Sequence, residues 1–187
     1  MTEPADHPDN VLRIERRFSA PPEMVFAMFT RPELVRVWNA ASHGFRAQDV
    51  QIDARPGGVL SLRNVKPGVE EREEGVFHEV RPHSRLVWSY RYLGTDFFST
   101  VSVDLTPNDG STRMAFRQTG FPDSGSRDEH AYGWNAVLAM METALLAGSG
   151  ATRFAADRDG MDGFAADLEA ARKRFEAEQT TGDTERA

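Results

Sequence analysis

The sequence predicts an α+β fold: a curved antiparallel sheet of seven strands around one long helix late in the domain, with two short helices after the first strand. Three observations predict it. Tight-turn signals recur at short intervals from Arg55 to Gly110, the spacing of an antiparallel meander rather than of strands joined by crossover helices. A long apolar stripe follows the last strand, with Trp134, Val137, Leu138, Met141 and Leu145 at steps of three and four. Proline-led amphipathic segments lie between the first strand and the meander.

The elements follow in order. Val11, Leu12, Ile14 and Phe18 alternate with charged residues and predict a first strand over 10–18. Pro21 and Pro22 stop it and suit a first helical turn, with Glu23 at the positive end and Val25, Met28 and Phe29 on one face. Thr30-Arg-Pro-Glu33 has the spacing of a capping box and opens a second short helix that buries Leu34, Val37 and Trp38. Six strands are then placed near 45–54, 58–65, 71–80, 85–93, 97–106 and 111–119. Turns at Arg55-Pro-Gly-Gly58, Lys66-Pro-Gly68, Arg81-Pro-His-Ser84, Leu93-Gly-Thr-Asp96 and Pro107-Asn-Asp-Gly110 separate them, with Gly57 free to take positive φ. Ser126-Arg-Asp-Glu129 has a second capping-box spacing and starts the long helix, which Gly148-Ser-Gly150 ends. A long helix arriving after a bent sheet buries its apolar face on the concave side, the arrangement of a helix-grip fold.

The domain is assigned to residues 10–150. Residues 1–9 are expected to be disordered, and 151–187 to form an extension with an amphipathic helix near 161–178 (Phe164, Leu168, Ala171, Phe175) and a disordered end. That helix is expected to dock back or to join two copies as a homodimer. The formal net charge of −7 disfavours a nucleic-acid partner, since phosphate binding needs a basic face. No apolar run approaches the ~20 residues of a membrane span. The first ten residues carry Pro4, Asp6, Pro8 and Asp9 and do not read as a secretory signal. The chain has no cysteine, so disulfides and thiolate metal sites are excluded, and a cytoplasmic location is expected.

The motifs resemble a known family. Ala-Pro-Pro-Glu-Met-Val-Phe (20–26), Phe-Thr-Arg-Pro-Glu-Leu (29–34), Pro-Gly-Gly (56–58), Gly-Val-Phe-His-Glu-Val (75–80) and Arg-Leu-Val-Trp (85–88) come in that order. Val-Asp-Leu-Thr-Pro (103–107), Gly-Ser-Thr-Arg-Met (110–114), Thr-Gly-Phe-Pro-Asp (119–123) and Gly-Trp (133–134) follow. In this register the chain resembles the SRPBCC superfamily of START-like, Bet v 1-like folds. It is most similar to the branch related to the C-terminal domain of the Hsp90 ATPase activator. Where that branch has paired tryptophans after the second short helix, this chain has Val37-Trp38-Asn39. The resemblance implies a cavity, not a reaction, because fold alone does not fix function.

Trp88, Tyr90 and Tyr92 share one strand face, and polar-tipped aromatics of this kind supply flat apolar walls for a ligand. The expected lining is Trp38, Leu62, His78, Trp88, Tyr90, Phe116, Gln118, Trp134 and Met141, with His78 and Gln118 orienting a hydrophobic, lipid-like or polyketide-like molecule. His78 shares strand parity with Val76 and Val80 and is expected to point inward; the opposite parity would bring in Phe77 and Glu79. His78 and Glu79 are therefore the candidate acid–base groups for an alternative reading as a cyclase or hydrolase. His43 is expected near the cavity mouth, His130 in the first turn of the long helix and His83 in a solvated turn. Arg63 and Arg117 are expected on the solvent face, and Glu70-Glu-Arg-Glu-Glu74 as a solvated strand edge. No histidine pair has zinc-site spacing, and no Walker, dinucleotide or Gly-x-Ser-x-Gly motif occurs, so neither a metal nor a cofactor is expected. A role as a chaperone (Hsp90) co-regulator follows only from the resemblance.

Overall fold

In the computed structural model, residues 10–39 and 45–148 are described. His43, the N-terminal segment 1–9 and the helix expected at 161–178 lie outside them. The chain runs β1 (Leu12–Phe18), α1 (Pro22–Thr30), α2 (Pro32–Trp38), β2 (Arg46–Ile52), β3 (Val59–Lys66), β4 (Val69–Arg81), β5 (Arg85–Tyr92), β6 (Ser99–Asn108), β7 (Ser111–Thr119) and α3 (Ser124–Gly148). One seven-stranded sheet has the order β1-β7-β6-β5-β4-β3-β2, with every neighbouring pair antiparallel. The meander from β2 to β7 is consecutive, and β1 adds to its far edge by pairing Leu12–Phe18 with Thr112–Gln118.

Period-two alternation sets the buried face. Leu86, Trp88 and Tyr90 of β5, Val101, Val103 and Leu105 of β6, and Met114, Phe116 and Gln118 of β7 are all buried. The residues between them are half-buried or exposed. α3 lies against this face: the Trp134 ring centroid is 4.5 Å from that of Phe116 and 6.1 Å from that of Tyr90. Arg16 of β1 fastens the helix from the side, bonding the Asn135 carbonyl at 3.1 Å and Glu142 at 3.4 Å. Trp38 of α2 donates its indole N–H to the Met28 carbonyl at 2.8 Å and packs edge-on against Phe29, which binds the two short helices together.

The two capping boxes are corrected. Thr30 ends α1 and bonds back to the Phe26 carbonyl at 2.9 Å, while α2 begins at Pro32 without a side-chain cap. Proline at the first position leaves one fewer orphan N–H to satisfy. For α3 the cap is Asp123, whose Oδ1 accepts the Ser126 N–H at 2.7 Å. That bond holds the Asp123 carboxyl below its ordinary pKa.

The parity of β4 is also corrected. Phe77 is buried and His78 is exposed. Phe77 pairs with Trp88 and Glu79 with Val87, so His78 is the extra residue of a β-bulge. The larger apolar ring takes the inner face, and the bulge restores Val80, opposite Leu86, to the core. Glu79 faces outward, where it pairs with Arg85 at 2.9 Å and Arg81 at 2.6 Å, and its carboxyl is held below the usual range.

Candidate functional site

A hollow of about 510 Å³ lies between the N-terminal half of α3 and strands β3 to β5. α3 contributes His130, Trp134 and Val137, β5 contributes Tyr90 and Tyr92, and Asn39 and Phe45 close it on the α2 side. Its remaining wall is polar. Leu60, Leu62 and Asn64 alternate inward along β3, and Glu73 of β4 pairs with Leu62 on one side and Tyr92 on the other. Strand geometry therefore turns Asn64 and Glu73 toward the helix.

Glu73 is 6% exposed and Asn64 5%. The Asn64 amide donates to Glu73 Oε1 at 2.7 Å, while Asn64 Oδ1 is buried with no hydrogen-bond partner. Burial raises the Glu73 carboxyl to about 7, and the nearby Glu71 charge adds to the rise. Donation from the Tyr90 hydroxyl and the Asn64 amide opposes it without cancelling it. Burial likewise holds the phenols of Tyr90 and Tyr92 well above their ordinary range. His130 is packed by Phe97, Phe121, Tyr90 and Tyr92, and burial pushes its imidazole below the usual value, toward the neutral form.

The expected lining residues divide into groups. Tyr90 and Trp134 border the hollow. Trp38, Leu62 and Trp88 border a neighbouring apolar void of about 30 Å³, which Tyr90, Glu73 and Trp134 separate from the larger space. Trp88 Nε1 and Asn39 Nδ2 are buried without partners beside this void, which has room for one water molecule. Phe116, Gln118 and Met141 are packed in the core. Gln118 acts indirectly: its Oε1 accepts the Trp134 indole N–H at 2.7 Å and its Nε2 donates to Ser99 Oγ at 2.8 Å. His78, on the outer face, is not near the hollow.

Sequence reasoning missed Asn64 and Glu73. Glu73 sits inside the charge run 70–74 and was expected to be solvated with its neighbours. The signal that finds it is Phe77: with that ring inward, a step of two places Glu73 on the same face. Arg63, by contrast, joins an outer network with Asp49 at 2.6 Å and Glu70 at 3.3 Å. Among the described residues no group of three or more His, Asp or Glu is arranged to hold a metal ion, and no helix is long and apolar enough to cross a membrane.

Residues 19–146 match the family model described as activator of Hsp90 ATPase homolog 1-like protein. Among solved structures, the chain is similar to protein Mll3558 of Rhizobium loti, with 27% identity and a TM-score of 0.62 over 71% of this chain and 94% of that one. It is also similar to protein NE0264 of Nitrosomonas europaea, with 26% identity and a TM-score of 0.63 over 73% and 94%. An Hsp90 activator from Plasmodium falciparum shares the fold at 23% identity and a TM-score of 0.56, over 72% and 95%. No curated protein matches the sequence. With the strand order, the gripping helix and a family match over most of its length, the chain belongs to the activator of Hsp90 ATPase homolog 1-like family, on an SRPBCC-type fold.

Proposed function

We propose that the protein binds an apolar small molecule in the hollow between α3 and strands β3 to β5. The observation that carries this reading is the hollow itself: a space of ligand size, walled by Tyr90, Tyr92, Trp134 and Val137, with one buried carboxyl group in its side. Binding there would quench or shift Trp134 fluorescence. Titration with the neutral dye Nile red tests it, with Val137→Phe as the variant that fills the space. Saturable binding by the natural chain and its loss in the variant support the reading; no binding by the natural chain counts against it. The lack of cysteine suits work in a reducing cytoplasm. Self-association through residues 161–178 is tested by the size of the full chain in solution. An Hsp90 role rests on the family description and the shared fold, and a pull-down with Hsp90 tests it.

One observation favours a second reading, an enzyme of the cyclase or hydrolase type. A carboxyl titrating near 7 beside a cavity has the property of a general acid–base group. That role falls to Glu73, since Glu79 is held in ion pairs on the outer face and His78 is exposed there. Under this reading Glu73→Gln abolishes turnover of an accepted substrate while ligand binding persists.

A further inference from the structure

We infer that the ligand of this hollow carries a protonated amine on an aromatic or alkyl body, with the ammonium group lodged against the Glu73 carboxyl and the Asn64 side-chain oxygen, beside the rings of Tyr90 and Tyr92. The inference rests on the small-molecule reading above and names the ligand class.

Three independent features converge on a cation. The first is an acceptor without a donor. Asn64 is almost fully buried in the wall, its amide is committed to Glu73, and its oxygen has no partner. A buried acceptor left in that state is destabilising, and a ligand N–H removes the deficit. Of the unpartnered donors of the region, Trp88 Nε1 borders only the neighbouring void, while Asn39 Nδ2 belongs to a residue that borders both spaces, on the α2 side of the hollow and away from β3 and β4.

The second feature is charge. Glu70, Glu71, Glu73 and Glu129 all contribute to the lining, and Arg72 is its one guanidinium. Arg72 is bound to Glu70 at 2.9 Å, so the other three carboxyl groups have no cationic partner among the described residues. Such a wall repels an anion and concentrates a cation. The third feature is the aromatic surround. The Tyr90 ring centroid is 5.5 Å from that of Tyr92 and 6.1 Å from that of Trp134, and clustered rings of this kind attract ammonium groups through their quadrupoles.

The arrangement also fixes the proton balance. Around Glu73 are Asn64 from β3, Tyr90 and Tyr92 from β5, Glu70, Glu71 and Arg72 from its own strand, and Glu129, His130 and Trp134 across the hollow on α3. Both phenols and the imidazole are biased toward neutrality by burial, so Glu73 is the group that responds to a bound cation near neutral pH. An arriving ammonium group draws Glu73 into its ionised form, and its proton leaves to the buffer.

The test uses the full chain and three probes with one aromatic body: naphthylmethylamine, naphthalenemethanol and naphthoic acid. Nile red reports the hollow independently of charge. Calorimetry in two buffers of different ionisation enthalpy reads both affinity and proton release. The amine should bind about tenfold or more tightly than the alcohol, the acid most weakly, and only the amine should release a proton. Glu73→Gln should remove the amine's advantage over the alcohol, and Asn64→Leu should reduce that advantage. Thermal unfolding identifies any variant that fails to fold; the proton release of the natural chain and the remaining variant then decide. An alcohol that binds as well as the amine, or a preference for the amine that survives in folded Glu73→Gln, overturns the inference and leaves the small-molecule reading standing. So does Nile red binding with none of the three probes bound. Failure of all four molecules to bind overturns both.

Discussion

The indole nitrogen of Trp134 donates to the side-chain oxygen of Gln118 across 2.7 Å, and both side chains are buried. Gln118 in turn is held by Ser99 from β6. A helix residue on the rim of the hollow is thus oriented by a strand residue that never reaches it. Replacing Gln118 by Leu strands the indole N–H, at a cost of about 1–3 kcal/mol for a buried unsatisfied group, while the Ser99 hydroxyl keeps its bond to the Tyr90 carbonyl. Urea unfolding measures that loss. Trp134→Phe added to Gln118→Leu should cost less than the sum of the two single changes, because the stranded donor is then gone.

Glu73 makes stability fall with pH. Its carboxyl is raised from 4.5 to about 7 by folding, so between those values the folded state holds a proton that the unfolded state has released. The destabilisation is absent below the lower value, grows through the window and levels off above the upper one. Glu73→Gln should therefore match the natural chain in acid and become more stable above neutrality, by on the order of 3 kcal/mol. Melting curves of both proteins across the window check this; a parallel pair would remove the claim that Glu73 is buried uncharged.

Neighbouring positions on β4 should respond oppositely. Phe77→Ala empties a site that is 1% exposed beside Trp88 and should cost about 3–5 kcal/mol. His78→Ala changes an exposed bulge residue and should stay within about 0.5 kcal/mol. Denaturation midpoints of the two variants decide between the observed parity and its alternative.

Asp123→Ala removes the side-chain cap of α3 and should lower stability, read as an earlier denaturation midpoint. The loss should shrink in acid as the natural carboxyl becomes protonated, which the same unfolding measurement at two pH values shows.

The architecture was legible because its signals are local. Turn residues at short spacing, alternation such as Leu86-Trp88-Tyr90 and the stripe from Trp134 to Leu145 each depend on neighbours in sequence. Among the described residues, the seven strands and three helices fall close to where those signals place them. The parity of β4 was not legible, since Val76, His78 and Val80 form a plausible inner row until a bulge at His78 breaks the count. That one residue carries two consequences: the unbroken count points His78 inward, and it leaves Glu73 among the solvated charges of the run 70–74. Asn64 is illegible for a related reason, because a polar residue continuing the apolar row of Leu60 and Leu62 reads as the row's end. The capping boxes failed where a neighbour, Asp123 or Pro32, served the same helix end more directly.

Gly75 sits between Glu73 and Phe77, and a methyl group there would meet the Ser89 carbonyl oxygen at 1.9 Å. The missing side chain lets β5 press close to β4 midway along the strand. Acid and ring are thereby kept on opposite sides of a pinch in the sheet. A residue with nothing to offer a ligand thus sets how closely two strands meet, between the carboxyl that borders the hollow and the ring that fills the core.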